Sequence, residues 1–259
     1  MHRQYQMEKD FYAEYFKIED KHWWFVGRRK IILRLLEKHL PASDRSILQI
    51  VDVGCGTGTM LQYLMRFGHV QGLEADSEAI QFCRMRGLEN VQRLVGTHLP
   101  FEDESLDLVT MFDVLEHIAD QKSAVSEAHR VLKSAGMFMA TVPAYQFLWG
   151  PQDEISHHKR RYVARTLGNV MRSSGFRVTK LSYFNSILFL PIAAIRVGRR
   201  LMRLDEGAHL TSDFTLTNPG LINSALAKVF ALEASIIEKF SIPFGVSIVC
   251  IARKRGSSP

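Results

Sequence analysis

Cysteine is scarce in this chain: Cys55, Cys83 and Cys250 are the three present in 259 residues, and they lie far apart. None forms a C-x-x-C pair or stands at ligand spacing from a histidine. Neither a disulfide framework nor a cysteine-based metal site is indicated, and a reducing compartment is expected. Long apolar runs are also missing. The longest, Ile187 to Ile195, is nine residues with Pro191 inside it, well short of the ~20 needed to span a bilayer. The first twenty residues interleave His2, Arg3, Glu8, Lys9, Asp10 and Glu14 with aromatics, which excludes the apolar core of a signal peptide. The expected location is cytoplasmic. Nor is charge one-sided: 33 basic and 27 acidic residues leave +6, an excess that favours anionic partners or simply keeps the chain soluble. No repeat of fixed period and no low-complexity tract appears. With 46% apolar and 23% charged residues, the composition is that of a folded chain whose core needs no covalent staple.

What is present is alternation. Apolar positions Ile31, Ile32, Leu35, Leu36 and Leu40 recur at helical spacing before Pro41. Strands are then expected at Ile47–Val53, Val70–Leu73, Val91–Val95, Leu106–Met111, Gly136–Val142, Phe176–Ser182 and Gly245–Ala252. Helices are expected at Thr59–Phe67, Ser77–Arg86, Lys122–Leu132 and Ala164–Ser174. Short strands alternating with helices mean a mainly parallel sheet covered on both faces. Between Phe184 and Pro243 two further helices are expected, Ser186–Leu204 and Leu221–Phe240, joined through Asn218-Pro219-Gly220.

The most informative stretch is Val51-Asp52-Val53-Gly54-Cys55-Gly56-Thr57-Gly58-Thr59. A strand running into three alternate glycines before a helix makes a loop where backbone can approach a ligand closely and free N–H groups await it. The spacing is G-x-G-x-G, not the G-x-G-x-x-G of dinucleotide binders, so a dehydrogenase on the same fold lacks support. Asp52, beside the loop, suits a cationic or amino-bearing ligand better than a pyrophosphate. Glu74, sixteen residues after Gly58, ends the next strand, where a carboxylate can accept both hydroxyls of a ribose.

With these residues the chain resembles the class I S-adenosylmethionine-dependent methyltransferases, and within them the broad type-11-like group. Two further motifs agree: Gly96-Thr97-His98-Leu99-Pro100-Phe101, and Leu106-Asp107-Leu108-Val109 followed by Phe112-Asp113-Val114-Leu115-Glu116-His117. The resemblance is dense from Leu48 to Val142. It implies a Rossmann-like seven-stranded sheet with an antiparallel last strand. It also implies S-adenosyl-L-methionine as cofactor, with S-adenosyl-L-homocysteine as product. Gly54, Cys55, Gly56 and Gly58 would line the methionine and ribose parts, Glu74 would hold the ribose, and Ala75 would lie beside the adenine, with Asp52 a further cofactor-binding candidate as the acid beside the loop. Phe112 and Asp113 would face the methionine moiety. Thr97, with His98 next to it, takes a place where the group usually has an acid for the adenine amino group, so that contact would pass to a hydroxyl or to backbone. His117 stands where the group often has a histidine near the methyl acceptor; it is either a base or a cap of the next helix.

A second constellation follows the fifth strand: Tyr145, Trp149, Asp153, His157, His158, Arg160, Arg161 and Tyr162. His157 and His158 are candidate catalytic groups, and the aromatics and arginines suit an anionic or hydroxylated acceptor. A solvated basic loop is the competing reading. Asp153, His157 and His158 as metal ligands have nothing to fix them, and no metal is expected. Before the glycine loop, His22-Trp23-Trp24-Phe25 with Arg28 and Arg29 would fold over the cofactor as a lid, aromatic faces toward a sulfonium, or anchor a helix to the core. In 186–204, Arg196, Arg199, Arg200 and Arg203 form a cationic stripe beside apolar surface, the composition of a helix lying on an anionic membrane or packed on its own domain.

The expected organisation is an N-terminal helical lid (1–45), a methyltransferase core (46–183 and 244–255) and a helical insertion before the last strand (184–243). The expected function is methyl transfer to a small-molecule or lipid-linked, saccharide-type acceptor, with peripheral contact at the inner membrane surface through 186–204. The alternatives are an RNA-directed methyltransferase and a non-catalytic nucleotide- or membrane-surface-binding module. No nucleic-acid partner is expected, because the basic residues are scattered and no RNA-binding module or Asn-Pro-Pro-Tyr motif is present.

Overall fold

The structure is a computed structural model and describes residues 11–41, 48–202 and 220–255. The first ten residues of the expected lid, positions 42–47, Arg203, Leu204 and the Asn218-Pro219 turn lie outside the described residues. A helix, α1, covers residues 11–18, and α2 follows at Trp23–His39. The strands are β1 (Gln49–Val53), β2 (His69–Glu74), β3 (Val91–Arg93), β4 (Leu106–Phe112), β5 (Leu132–Pro143), β6 (Phe176–Phe184) and β7 (Ser247–Lys254). They form one seven-stranded sheet in the order β3-β2-β1-β4-β5-β7-β6. Neighbours from β3 to β5 pair parallel, and β7 lies antiparallel between β5 and β6. This is the Rossmann-like architecture with an antiparallel last strand that the alternation and the resemblance called for.

Side-chain alternation along each strand assigns the two faces. Ile50, Leu108, Met137, Met139, Val249 and Ile251 point into one core with Leu35, Leu36, Leu61 and Phe67. Val51, Val109, Phe138, Ala140, Ile248 and Cys250 point into the other, under α5 (Gln121–Val131) and α7 (Ala164–Ser173). The first layer is built from α2, α3 (Thr59–Leu64) and α9 (Leu221–Lys239); α4 (Ser77–Met85) follows β2.

Three elements differ from the expectation for identifiable reasons. Helix α2 begins at Trp23 rather than Arg29, because His22 Nδ1 accepts from Trp24 N–H (3.3 Å) and Asn223 Oδ1 of α9 accepts from Trp23 N–H (2.7 Å). That second cap comes from far along the chain and leaves no local signature. Helix α9 is a core helix: Phe230 is fully buried, stacks on Phe184 (6.1 Å, 10°) and meets Trp23 edge-on (5.9 Å). Residues expected to form one insertion therefore divide, since α8 (Phe189–Leu201) buries no residue at all. The polar stretch after β5 contains a short helix, α6 (Pro151–Ile155), whose N-terminus is capped by Asp153 Oδ2 accepting from Gly150 N–H (2.8 Å).

Candidate active site

A cavity of about 900 Å³ opens beyond the carboxyl ends of β1, β2 and β4, where parallel α/β sheets place ligands. One end is the glycine loop. Gly54 and Gly56 hold φ of 70° and 57°, a region L side chains avoid. A Cβ on Gly54 would come 2.5 Å from Val114 Cγ2, whereas on Gly56 it would meet nothing within 4 Å, because it would project into open space. Glu74 is 7% exposed. Its Oε2 accepts from Gly56 N–H (2.7 Å), and its Oε1 accepts from Ala75 N–H (2.8 Å) and Asp76 N–H (3.1 Å). The carboxylate is thus locked to loop and strand end, and burial holds its pKa above the ordinary value. Asp52 is buried and accepts from the Thr110 hydroxyl (2.6 Å). Burial raises its pKa to about 7, against the opposing pull of the Thr110 hydrogen bond and the Arg28 charge. Cys55, Ala75 and Phe112 also line this end.

The other end is built by the loops after β4 and β5. Asp113 (φ 56°) pairs with Arg28 of α2 and accepts from the Thr141 hydroxyl (3.2 Å). His117 and His158 face one another edge-on with ring centroids 4.7 Å apart. Burial lowers the pKa of His117 to about 4, so it is neutral at physiological pH. His158 Nδ1 lies 2.8 Å from Asp153 Oδ1. Asp153 is fully buried and clamped by Arg161 through Nε (2.8 Å) and the other fork nitrogen (2.9 Å). Those bonds overcome its desolvation and hold it ionised, well below the usual carboxylate range. Glu116 is also fully buried, and burial drives its pKa well up.

Residues before β1 roof the cavity: Tyr15, Glu19, His22, Trp24 and Arg28 line it. Arg28 lies over the Trp24 ring at 4.8 Å. Arg86, at the end of α4, ties the roof to the glycine loop. Its Nε donates to Thr57 O (3.0 Å), and its terminal nitrogens donate to Asp20 Oδ2 (2.9 Å) and Glu19 Oε1 (3.1 Å). From the opposite side, Arg196 and Arg199 of α8 reach the rim, Arg196 donating to Leu148 O.

Several expected site residues are placed otherwise. Thr97 and His98 do not line the cavity; the Thr97 hydroxyl meets that of Ser123 (3.1 Å), and His98 points outward to Glu127 (2.9 Å). Gly58 serves as the N-cap of α3. Tyr145 stacks on Tyr183 (5.1 Å, 8°), and Arg160 donates to Ala119 O (3.1 Å). The buried Tyr162 hydroxyl donates to Leu115 O (3.1 Å) and meets Gln121, bracing the loop that carries Glu116 and His117. These positions support the site or lie outside it; for Tyr145, Arg160 and Tyr162 the reason is that the chain after β5 folds back through α6. Trp149, His157 and Arg161 do line the cavity, with Arg161 committed to Asp153. Glu116 and Arg86 were not read from sequence as site residues, though Glu116 carried a signal as the middle letter of the Leu-Glu-His motif; Arg28 and Arg196 were read only as members of the lid segment and of the cationic stripe.

Comparison with known proteins finds relatives for part of the chain. Residues 51–140 match the family model described as a methyltransferase domain. The match covers about a third of the chain and makes that stretch similar to a methyltransferase domain. An S-adenosylmethionine-dependent methyltransferase of Mycolicibacterium smegmatis is 27% identical over 165 residues, 62% of each chain. A ubiquinone biosynthesis O-methyltransferase of Photorhabdus laumondii is 31% identical over 109 residues, 39% of this chain and 45% of the relative. The chain therefore spans less than two thirds of the length of either relative. Among solved structures, a chain of the complex between the Haloferax volcanii Trm112 methyltransferase activator and a methyltransferase has the same fold: TM-score 0.59, 17% identity, 96% of each chain covered.

S-adenosyl-L-methionine, the cofactor this methyltransferase domain implies, fits the residues present. The open space over Gly56 admits a close ligand, and the buried acid Asp52 suits an ammonium group. Glu74 is fixed by backbone N–H groups with lone pairs left for ribose hydroxyls, and aromatic faces of the roof suit a sulfonium.

Proposed function

We propose that this chain transfers a methyl group from S-adenosyl-L-methionine to a small acceptor with an apolar portion. The observation that carries the reading is one cavity with a glycine-loop and Glu74 end and an imidazole end, closed by a single aromatic roof. Asp52, Gly56 and Glu74 would hold the cofactor, and Phe112 and Asp113 would stand where the ends meet. The cofactor supplies a sulfonium methyl group, open to in-line attack.

The chain's own contribution is chiefly positioning and exclusion of water. For an acceptor that carries a proton, His158 is the better-placed base. Its Nδ1–H donates to Asp153, which leaves the Nε2 lone pair toward the cavity, and the Asp153 carboxylate stabilises the imidazolium that forms. His117, neutral and buried, supplies a second lone pair beside it. Arg196 and Arg199 at the rim suit an acceptor that carries negative charge or hydroxyls. The exposed surface of α8 supports an apolar, lipid-linked acceptor delivered at an anionic membrane surface: Leu190 and Leu201 are 73% and 79% exposed on a helix that also carries Arg200. No helix of the described residues is long and apolar enough to cross a membrane, so such contact would be peripheral.

Isothermal titration with S-adenosyl-L-homocysteine, with NADH as control, tests the cofactor. Micromolar binding of the former alone is expected. Transfer of labelled methyl from the cofactor into lipid extract, against a water-soluble metabolite extract, tests the acceptor class. Absence of cofactor binding in folded protein overturns the reading, and label only in water-soluble products overturns the lipid-linked acceptor.

A further inference from the structure

Glu116, His117 and His158 meet at the acceptor end of the cavity, one ligand-type atom of each within 4.8 Å of the others. Glu116 is fully buried, and neither of its oxygens has a hydrogen-bond partner among the described residues. A buried carboxyl group without partners is costly, and in native structures it signals a missing counterpart. The nearby cations do not supply one directly: Arg28 pairs with Asp113, and Arg161 with Asp153. His158 approaches with Nε2 4.0 Å from Glu116 Oε1, while its Nδ1 is engaged by Asp153. A carboxylate fixing the far nitrogen of an imidazole is the arrangement that orients metal-ligating histidines. The Lys159 N–H bond to Glu116 O (2.8 Å) ties together the two loops that carry the three residues.

We propose that Glu116, His117 and His158 bind a divalent transition-metal ion of the zinc class, oriented by Asp153 and leaving a coordination position open to the cavity. Two imidazole nitrogens and one carboxylate oxygen form a common catalytic ligand set for such ions. Metal bonds of about 2.0–2.2 Å set tetrahedral ligand atoms roughly 3.3–3.6 Å apart, so side-chain rotations that draw the present atoms together by ~1 Å complete the shell. This departs from the sequence expectation of no metal, in which Asp153, His157 and His158 were the ligands weighed. In the structure Asp153 orients, His157 stands outside the set, and Glu116 supplies the charge.

The open position would take an acceptor hydroxyl. Held there, the hydroxyl would lose its proton to water, and His158, its Nε2 lone pair committed to the ion, would not serve as the base. The acceptor oxygen's lone pair then forms the bond to the methyl group as the sulfur–carbon bond breaks and that electron pair stays on sulfur. This role rests on the methyl-transfer reading; the binding of the ion does not.

The test uses the full chain, stripped with chelator and dialysed, without cofactor or acceptor. Zn²⁺ is titrated calorimetrically, and Co²⁺ is followed by its visible absorption bands. One ion per chain is expected. Glu116→Gln, which keeps the side chain's shape, and His158→Ala are each expected to weaken binding at least about tenfold; Glu116→Gln should also abolish the cobalt bands. His98→Ala, at the surface beside Glu127, should change neither. Absence of unit-stoichiometry binding overturns the proposal, as does binding that both variants retain in full. Cofactor affinity is measured separately, so a chain that binds S-adenosyl-L-homocysteine but no metal loses this proposal and keeps the methyl-transfer reading.

Discussion

Asp52 is held against its preference. Buried beside the glycine loop, it has a pKa of about 7 in the folded chain against 3.8 as an ordinary side chain. The unfolded chain ionises first as pH rises, so this residue's stabilising effect is fullest below about pH 4 and is lost toward pH 7. A cationic ligand group reverses the balance by favouring the carboxylate. S-adenosyl-L-homocysteine carries an ammonium, so its affinity should rise about tenfold from pH 6 to pH 8, with a proton released on binding. Asp52→Asn should flatten that profile. Titrations in buffers of different ionisation enthalpy measure both quantities, and a pH-independent affinity in the unsubstituted chain would show that Asp52 does not meet the ammonium.

Among the elements, the roof has the most to lose. Segment 11–28 sits over the cavity through contacts that converge on Arg86, whose guanidinium bonds Glu19, Asp20 and Thr57 O and lies 4.5 Å over the Phe16 ring. Arg86→Ala removes all of these while leaving both hydrophobic cores intact. The expected outcome is a fold unchanged by circular dichroism and cofactor affinity weakened by about tenfold, since the roof would have to order on binding. Unchanged affinity would make the segment an anchored helix with no lid role. The packing of α2 on α9 resists such loosening further along: a Cβ on Gly27 would stand 2.2 Å from Phe230 Cδ1, so the two helices touch backbone to ring.

For the molecule as a whole, the cofactor cavity joins elements distant in sequence, and a ligand there should stabilise the entire fold. At a concentration one hundred times Kd, S-adenosyl-L-homocysteine should add about 2.7 kcal/mol and raise the melting temperature by roughly 5–10 °C; a shift below 2 °C in differential scanning calorimetry would contradict that coupling. The strands, their faces, the glycine loop and Glu74 were legible in the sequence because each rests on local chemistry: period-two burial, positive φ at glycine, a carboxylate at a strand end. The Asn223 cap on α2 was not, nor was the burial of Phe230, since both come from α9 across the fold. The acceptor end was legible only as residue types. His117 and His158 stood out, yet which groups would line the cavity and which would brace it was decided by the backward fold of the β5 loop through α6. Local spacing determined the sheet and the cofactor loop; only tertiary packing brought His158 to the adjacent Glu116 and His117, because the surroundings of a buried carboxyl group are chosen by loops about 40 residues apart meeting in space.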